Sequence, residues 1–321
     1  MMALARGGRM RGRFTCWAVA ALAAATLATG LAGCTPGRGA GPTESPSADQ
    51  SSAVVRDDLR LVEEGDGYAA YVLPFGTDGQ RIYGRLYLPD GADEKTPLVV
   101  VSHGFASSWT ATARDAERLA AAGAACYVFD FRGGSPGSAS DGSMLDMSVE
   151  TEAADLELVM DSLLEQGLVE PDRLFLMGES QGGLVSALVA ARRPADVAGL
   201  VLVYPAFSIP DDARARFSSV DEIPEGEVEG LFGVTVGRRY YADILGLDPF
   251  AEIGAYEGPV LIAHGDADAV VPLAYSERAA EVYANAELHV LPGAGHGFSD
   301  DELDDVCGWA SELVSGAVAE S

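Results

Sequence analysis

Beyond residue 58 the chain alternates between short apolar runs and amphipathic stretches. Runs at 68–75, 81–88, 97–102, 124–130, 172–177, 197–204, 258–264 and 287–292 have the length and the β-branched content of strands. Between the later ones, apolar residues recur at helical spacing over 110–122, 147–166, 182–193, 273–286 and 301–317. A run such as Leu98-Val99-Val100-Val101-Ser102 is apolar without alternation, as in a parallel sheet covered on both faces. The first two runs have no helix between them and predict antiparallel strands at one edge. The fold class expected is therefore α/β: a mostly parallel eight-stranded sheet with helices on both faces, one domain spanning 58–321.

One stretch breaks this rhythm. Residues 206–250 separate two strands by far more than a crossover needs, and they carry Pro210-Asp211-Asp212, Ile223-Pro224-Glu225-Gly226 and Arg238-Arg239-Tyr240-Tyr241. Long insertions inside compact domains are usually lids or binding elements, so this one is expected to form a small cap insertion.

The pattern before residue 58 is different. Residues 1–33 carry Arg6, Arg9, Arg11 and Arg13, then the apolar stretch Cys16–Ala28, and end in Leu31-Ala32-Gly33 before Cys34. A basic head, an apolar middle and small residues at the end make a secretory signal peptide. The small residues before Cys34 resemble the bacterial lipoprotein pattern, which implies a lipidated Cys34 and a membrane-anchored, extracytoplasmic protein. An uncleaved membrane helix is the alternative, since 14–33 is about long enough to span a bilayer. Either way the arginines keep the head inside and put everything after the apolar run outside. Residues 34–57, rich in Gly, Pro and Ser, are expected to be a flexible tether.

Composition narrows the partners. The formal net charge is −28, and the leader contributes arginines but no acid, so the remainder is more acidic still. That balance argues against nucleic acid as a partner, which requires a basic face. Of the remaining cysteines, Cys126 falls in a strand pattern and Cys307 in the last helical one; the expectation is two buried free thiols, with a bridge between them left open. No cluster of His, Cys and carboxylates has metal-ligand spacing, and no cofactor motif occurs; Arg132–Ser138 lacks the lysine and helix spacing of a phosphate loop.

The chemistry concentrates at Gly178-Glu179-Ser180-Gln181-Gly182, between a strand pattern and a helix pattern. Flanking glycines permit a sharp strand-to-helix turn that exposes the serine, and the helix start directs its positive end and the Gln181 amide toward it. A serine needs a base, and the base an orienting acid. His296, in the glycine-rich Gly293–Phe298 loop, is the candidate base; His289, alternating with apolar neighbours, reads as structural or surface. Asp268 is the candidate acid, because a few residues must follow Gly265 before a carboxylate reaches His296. Asp266 is expected to stabilise its own turn.

The order Ser180, Asp268, His296 resembles the α/β-hydrolase superfamily over residues 60–318. Within it, His103-Gly104-Phe105, Phe129–Ser135, the Met147-Ser148-Val149 helix start, Gly178–Gly183 and the cap resemble cinnamoyl or feruloyl esterase-like bacterial serine esterases. The resemblance implies hydrolysis of a small-molecule ester, aromatic or medium-chain, through an acyl-enzyme, with the amides of Phe105 and Gln181 as the oxyanion hole; the His103 side chain itself reads as a brace for the turn. Glu179 stands where many such relatives carry His, and is either a solvated turn residue or an electrostatic element of the pocket. Tyr204, Phe207, Tyr240 and Tyr241 are candidate pocket walls. A prolyl-oligopeptidase-type peptidase, an acyltransferase or thioesterase, and a non-catalytic hydrolase-fold binding protein are the alternatives. The peptidases usually carry a large further domain, which residues 35–57 cannot be.

Overall fold

The computed structural model describes residues 59–77 and 79–320; the leader, Cys34 and the tether lie outside the described residues. The apolar runs form one nine-stranded sheet: β1 (Arg60–Glu64), β2 (Tyr68–Val72), β3 (Gly84–Pro89), β4 (Leu98–Ser102), β5 (Ala125–Phe129), β6 (Leu174–Glu179), β7 (Gly199–Val203), β8 (Val260–Gly265) and β9 (Ala286–Leu291). Their order across the sheet is β1-β2-β3-β5-β4-β6-β7-β8-β9. The pairs β1/β2, β2/β3 and β3/β5 are antiparallel, and every pair from β5 to β9 is parallel.

The ninth strand, β1, is absent from the apolar pattern. It is an edge strand of sequence Arg-Leu-Val-Glu-Glu with a bulge between Leu61 and Glu63, and charge on an edge disguises a strand while discouraging further pairing. The expected strand at 68–75 also stops early. Pro74 lacks the N–H a ladder needs, and the chain leaves the sheet for a short ribbon pairing Phe75–Thr77 with Gln80–Ile82.

Among the described residues there are seven helices of seven residues or more: α1 (Trp109–Ala121), α2 (Val149–Glu165), α3 (Gln181–Arg192), α6 (Ala274–Val282) and α7 (Asp300–Glu320) flank the sheet, and α4 (Ile209–Arg216) and α5 (Arg238–Ile244) belong to the insertion. Ser148 starts α2 with a capping box: its hydroxyl takes the Thr151 amide, and the Thr151 hydroxyl takes the Ser148 amide. One apolar cluster lies on the α2/α3 face, built around Val100, Leu176 and Leu202; the other, around Val99, Met177 and Val201, lies on the α1/α7 face. Adjacent residues thus feed opposite cores, which is why the central strands read as unbroken apolar runs. Cys126 and Cys307 are both buried as free thiols, which decides the question left open by sequence.

Between β7 and β8 the chain forms α4, a two-stranded ribbon of Glu227–Glu229 with Thr235–Gly237, and α5. This segment packs α5 against α2 and supplies residues to the cavity described next.

Candidate active site

Ser180 sits between the last residue of β6 and the first of α3 with φ 51° and ψ −116°, a conformation that L residues rarely adopt. The turn closes only because both flanking positions lack side chains. A Cβ on Gly178 would meet the Gly182 carbonyl oxygen at 2.2 Å, and one on Gly182 would meet the Ser102 carbonyl oxygen at 2.3 Å. The turn is held from the neighbouring strand by the Ser180 amide donating to Val203 O (2.9 Å).

The loops after β8 and β9 bring the other two candidates to this serine. His296 Nε2 lies 2.9 Å from Ser180 Oγ, and its Nδ1 lies 2.8 Å from Asp268 Oδ2. With Nδ1 facing a carboxylate, that nitrogen carries the proton, leaving Nε2 as acceptor for the serine hydroxyl. The Asp268 side chain is inaccessible to solvent; its Oδ1 accepts the amides of Val270 (2.8 Å) and Val271 (2.9 Å). Burial alone would raise this carboxyl, but the two amides and the imidazole outweigh it and hold it below its ordinary value. Asp266 is assigned to its own turn by sequence; its Oδ1 instead takes the Gly293 amide at 2.6 Å and braces the loop that carries His296.

His264 has no role in the sequence reading. At the end of β8 it is buried, with Nε2–H donating to Val271 O (2.9 Å) and Ser276 Oγ–H donating to Nδ1 (2.7 Å); Nε2 also lies 3.3 Å from Asp268 Oδ2. Burial keeps its pKa low, so a neutral ring props the acid from behind. Only the strand-end position of His264, four residues before Asp268, hints at this. His289 lies apart, stacked on Trp309 at 4.1 Å.

The loop after β4 faces the serine from the other side. A Cβ on Gly104 would stand 3.2 Å from Ser180 Cβ, so this backbone runs directly against the nucleophile turn. His103 is buried, with Nδ1–H donating to Gly104 O (2.8 Å) and Nε2 accepting the Phe131 amide (3.2 Å), and burial keeps it neutral. The Gln181 amide is the first of α3 and has no intrahelical acceptor; neither it nor the Phe105 amide is taken up by a turn hydrogen bond among the described residues.

Above these groups lies a cavity of about 200 Å³ lined by Phe105, Glu179, Ser180, Gln181, Tyr204, Tyr240 and His296, together with Ile209, Asp212, Leu231 and Phe232 from the insertion. A second hollow of about 520 Å³ shares Ile209, Asp212, Leu231, Phe232, Tyr240 and Val270 with it. Tyr241 lines only the second hollow, where its hydroxyl meets Arg216 and Glu229 O. Phe207 lines neither; it is buried in the core against Phe250. The insertion's lining residues are scattered over a segment without apolar periodicity, so sequence could not select them.

Glu179 is not solvated. It is 7% exposed, the Tyr204 hydroxyl lies near it, and its Oε1 has no partner. Burial pushes its carboxyl up, against the opposing pull of that hydroxyl, Arg114 and His296. Tyr204 in turn packs its ring on His296 at 4.7 Å. Asp115, buried in α1 with neither oxygen partnered, is also raised, first by burial and then by the Glu179 charge.

Known proteins resemble this chain in sequence and in structure. Residues 93–225 match a family model described as serine aminopeptidase, S33. A protein of Mycobacterium tuberculosis, itself called uncharacterized, is 31% identical over 247 residues, covering 74% of this chain and 77% of that one. A monoacylglycerol lipase of Mycolicibacterium smegmatis is 28% identical over 273 residues, covering 73% of this chain and 94% of the lipase. Among solved structures, Est1E from Butyrivibrio proteoclasticus with ferulic acid bound superposes with a TM-score of 0.70 at 27% identity, covering 77% of this chain and 99% of Est1E.

Proposed function

The chain belongs to the serine α/β-hydrolases, in the family described as serine aminopeptidase, S33, and on that premise we propose that it hydrolyses carboxylic esters through an acyl-enzyme. Ser180 Oγ attacks the ester carbonyl while His296 Nε2 takes its proton. Asp268 fixes the imidazole tautomer and stabilises the imidazolium, and the amides of Phe105 and Gln181 receive the oxyanion. His296 then returns the proton to the leaving alcohol, and water repeats the sequence on the acyl-enzyme. The observation that carries this reading is the unbroken Ser180–His296–Asp268 chain, at 2.9 and 2.8 Å, opening onto the cavity beside two uncommitted amides.

The ester is small or slender. A hollow of about 200 Å³ lies below the ~300–1,000 Å³ common for drug-sized ligands, so it takes one branch of the substrate and leaves the other to the adjoining hollow. Apolar walls from Phe105, Ile209, Leu231 and Phe232 suit an aromatic or medium-chain acyl group. A second reading, an aminopeptidase, is favoured by the two carboxylates on the cavity wall, Glu179 and Asp212, which would attract a substrate ammonium. Covalent labelling with a fluorophosphonate probe, abolished in Ser180→Ala, tests the nucleophile; a folded wild type that fails to label sinks the enzyme reading. p-Nitrophenyl butyrate and methyl ferulate are expected to turn over faster than an aminoacyl p-nitroanilide, and the reverse order selects the peptidase.

A further inference from the structure

Tyr240 reaches both residues whose amides are proposed above to receive the oxyanion. From α5, its hydroxyl donates to Gln181 Oε1 at 2.8 Å, while its ring packs on that of Phe105 with centroids 5.5 Å apart. The other end of the Gln181 carboxamide is held from α2, where Nε2 donates to Glu152 Oε2 at 2.7 Å with Met147 Sδ at 4.0 Å. Gln181, Glu152 and Met147 are at most 1% exposed and Tyr240 is 4% exposed, so water cannot substitute for any of these contacts. None of this is required by the Ser180–His296–Asp268 chain.

We propose that Tyr240 is the positioning residue of the oxyanion site: it locks the amides of Phe105 and Gln181 in place from the insertion, with Glu152 as the second anchor on Gln181. The proposal rests on the oxyanion role given to those two amides above. Ser180 leaves α3 to begin from a strained turn, and fixing the Gln181 side chain holds the first residue after that turn, with its N–H, against reorientation. A carboxamide bonded at both ends cannot rotate without orphaning a buried donor or acceptor. Phe105 sits on a loop beside Ala106, which has φ 54°, and the Tyr240 ring backs it from the cavity side. Seating of α5 and assembly of the oxyanion site thereby become one event: if α5 lifts, both amides lose their support together. Burial raises the Glu152 carboxyl to about 8, with the Gln181 bond opposing and the Asp155 charge adding, so at neutral pH it is mostly an uncharged acceptor. Asp212 and Tyr241 are the other titratable groups that face the Tyr240 hydroxyl.

The test is Tyr240→Phe in the full chain, which removes one hydroxyl and keeps the ring on Phe105. On p-nitrophenyl butyrate, kcat should fall about 10-fold with KM within about twofold. Binding of butylboronic acid, whose tetrahedral adduct places an oxygen where the oxyanion forms, should weaken by the same factor, while binding of butyrate should not change. Glu152→Gln, which keeps an acceptor for Gln181, should retain activity and boronate affinity within about threefold; Glu152→Leu, which does not, should lose both as Tyr240→Phe does. Unchanged boronate affinity in folded Tyr240→Phe, or equal behaviour of the two Glu152 variants, overturns the positioning role. Ester hydrolysis by the wild type would stand in either case. A wild type that binds the boronate yet fails to hydrolyse esters refutes the function instead, and the boronate comparison still judges Tyr240.

Discussion

Glu152 shows how one buried proton ties the site to the stability of the chain. Its carboxyl, ordinarily near 4.5, is raised to about 8 in the fold, chiefly by burial, so over that interval the native state holds a proton that the unfolded state has released. A group raised in this way contributes its full stability below the unfolded value and loses it as pH climbs through the folded one, here on the order of 5 kcal/mol across the span. The wild-type melting temperature is expected to fall between pH 5 and pH 8, and Glu152→Gln, with no proton to lose, should fall less. Parallel curves for the two proteins would show that Glu152 is not the holder of that proton. Ser180, Asp268 and His296 were legible because each lies in a distinctive local setting of glycines and strand ends. Glu152 and His264 were not, and Tyr240 was legible only as a pocket wall, since each looks like an ordinary member of a helix or strand and gains its further meaning only from a partner 29, 4 or 59 residues away.

Among the elements, the β6–α3 turn is the most constrained. Gly182 packs its Cα against the carbonyl oxygens of Ser102 and His103, which an added Cβ would approach to 2.3 and 2.6 Å. Those carbonyls belong to the end of β4 and the start of the loop bearing Phe105, and backbone cannot yield as a flexible side chain does. Gly182→Ala should therefore destabilise by ~3 kcal/mol in urea unfolding and lower kcat by displacing that loop. Gly295→Ala, beside His296 but with nothing within 4 Å of the new methyl, should stay within ~0.5 kcal/mol of wild type. Equal losses at the two positions would contradict the close-approach argument. The periodicity of the chain placed the central parallel strands and the helices around them, because burial on both faces leaves an unbroken apolar signature. It missed β1, where edge charges erase that signature, and it ran the next strand past Pro74.

For the whole molecule, we propose that the leader directs export and is cut off, and that the lipidated Cys34 holds the hydrolase outside the cell at a membrane. Cys34→Ser should abolish metabolic labelling with a lipid precursor in a bacterial host, and persistent labelling would remove the anchor from the proposal. An acidic body fits this picture only as a soluble head, since like charge keeps it off anionic lipid surfaces. By itself the sequence determined the α/β class, the choice of Ser180, Asp268 and His296 that the fold brings into one hydrogen-bonded chain, and the turn on which Ser180 stands. Each of these is written in contiguous residues through periodicity, glycine spacing and strand ends. The tertiary structure alone decided that Glu179 is buried, that Phe207 belongs to the core, that His264 lies against Asp268, and that a tyrosine of the insertion meets both Phe105 and Gln181. Such facts depend on which side chains meet across distant segments, and burial and hydrogen bonding between separate elements leave no trace in local sequence pattern.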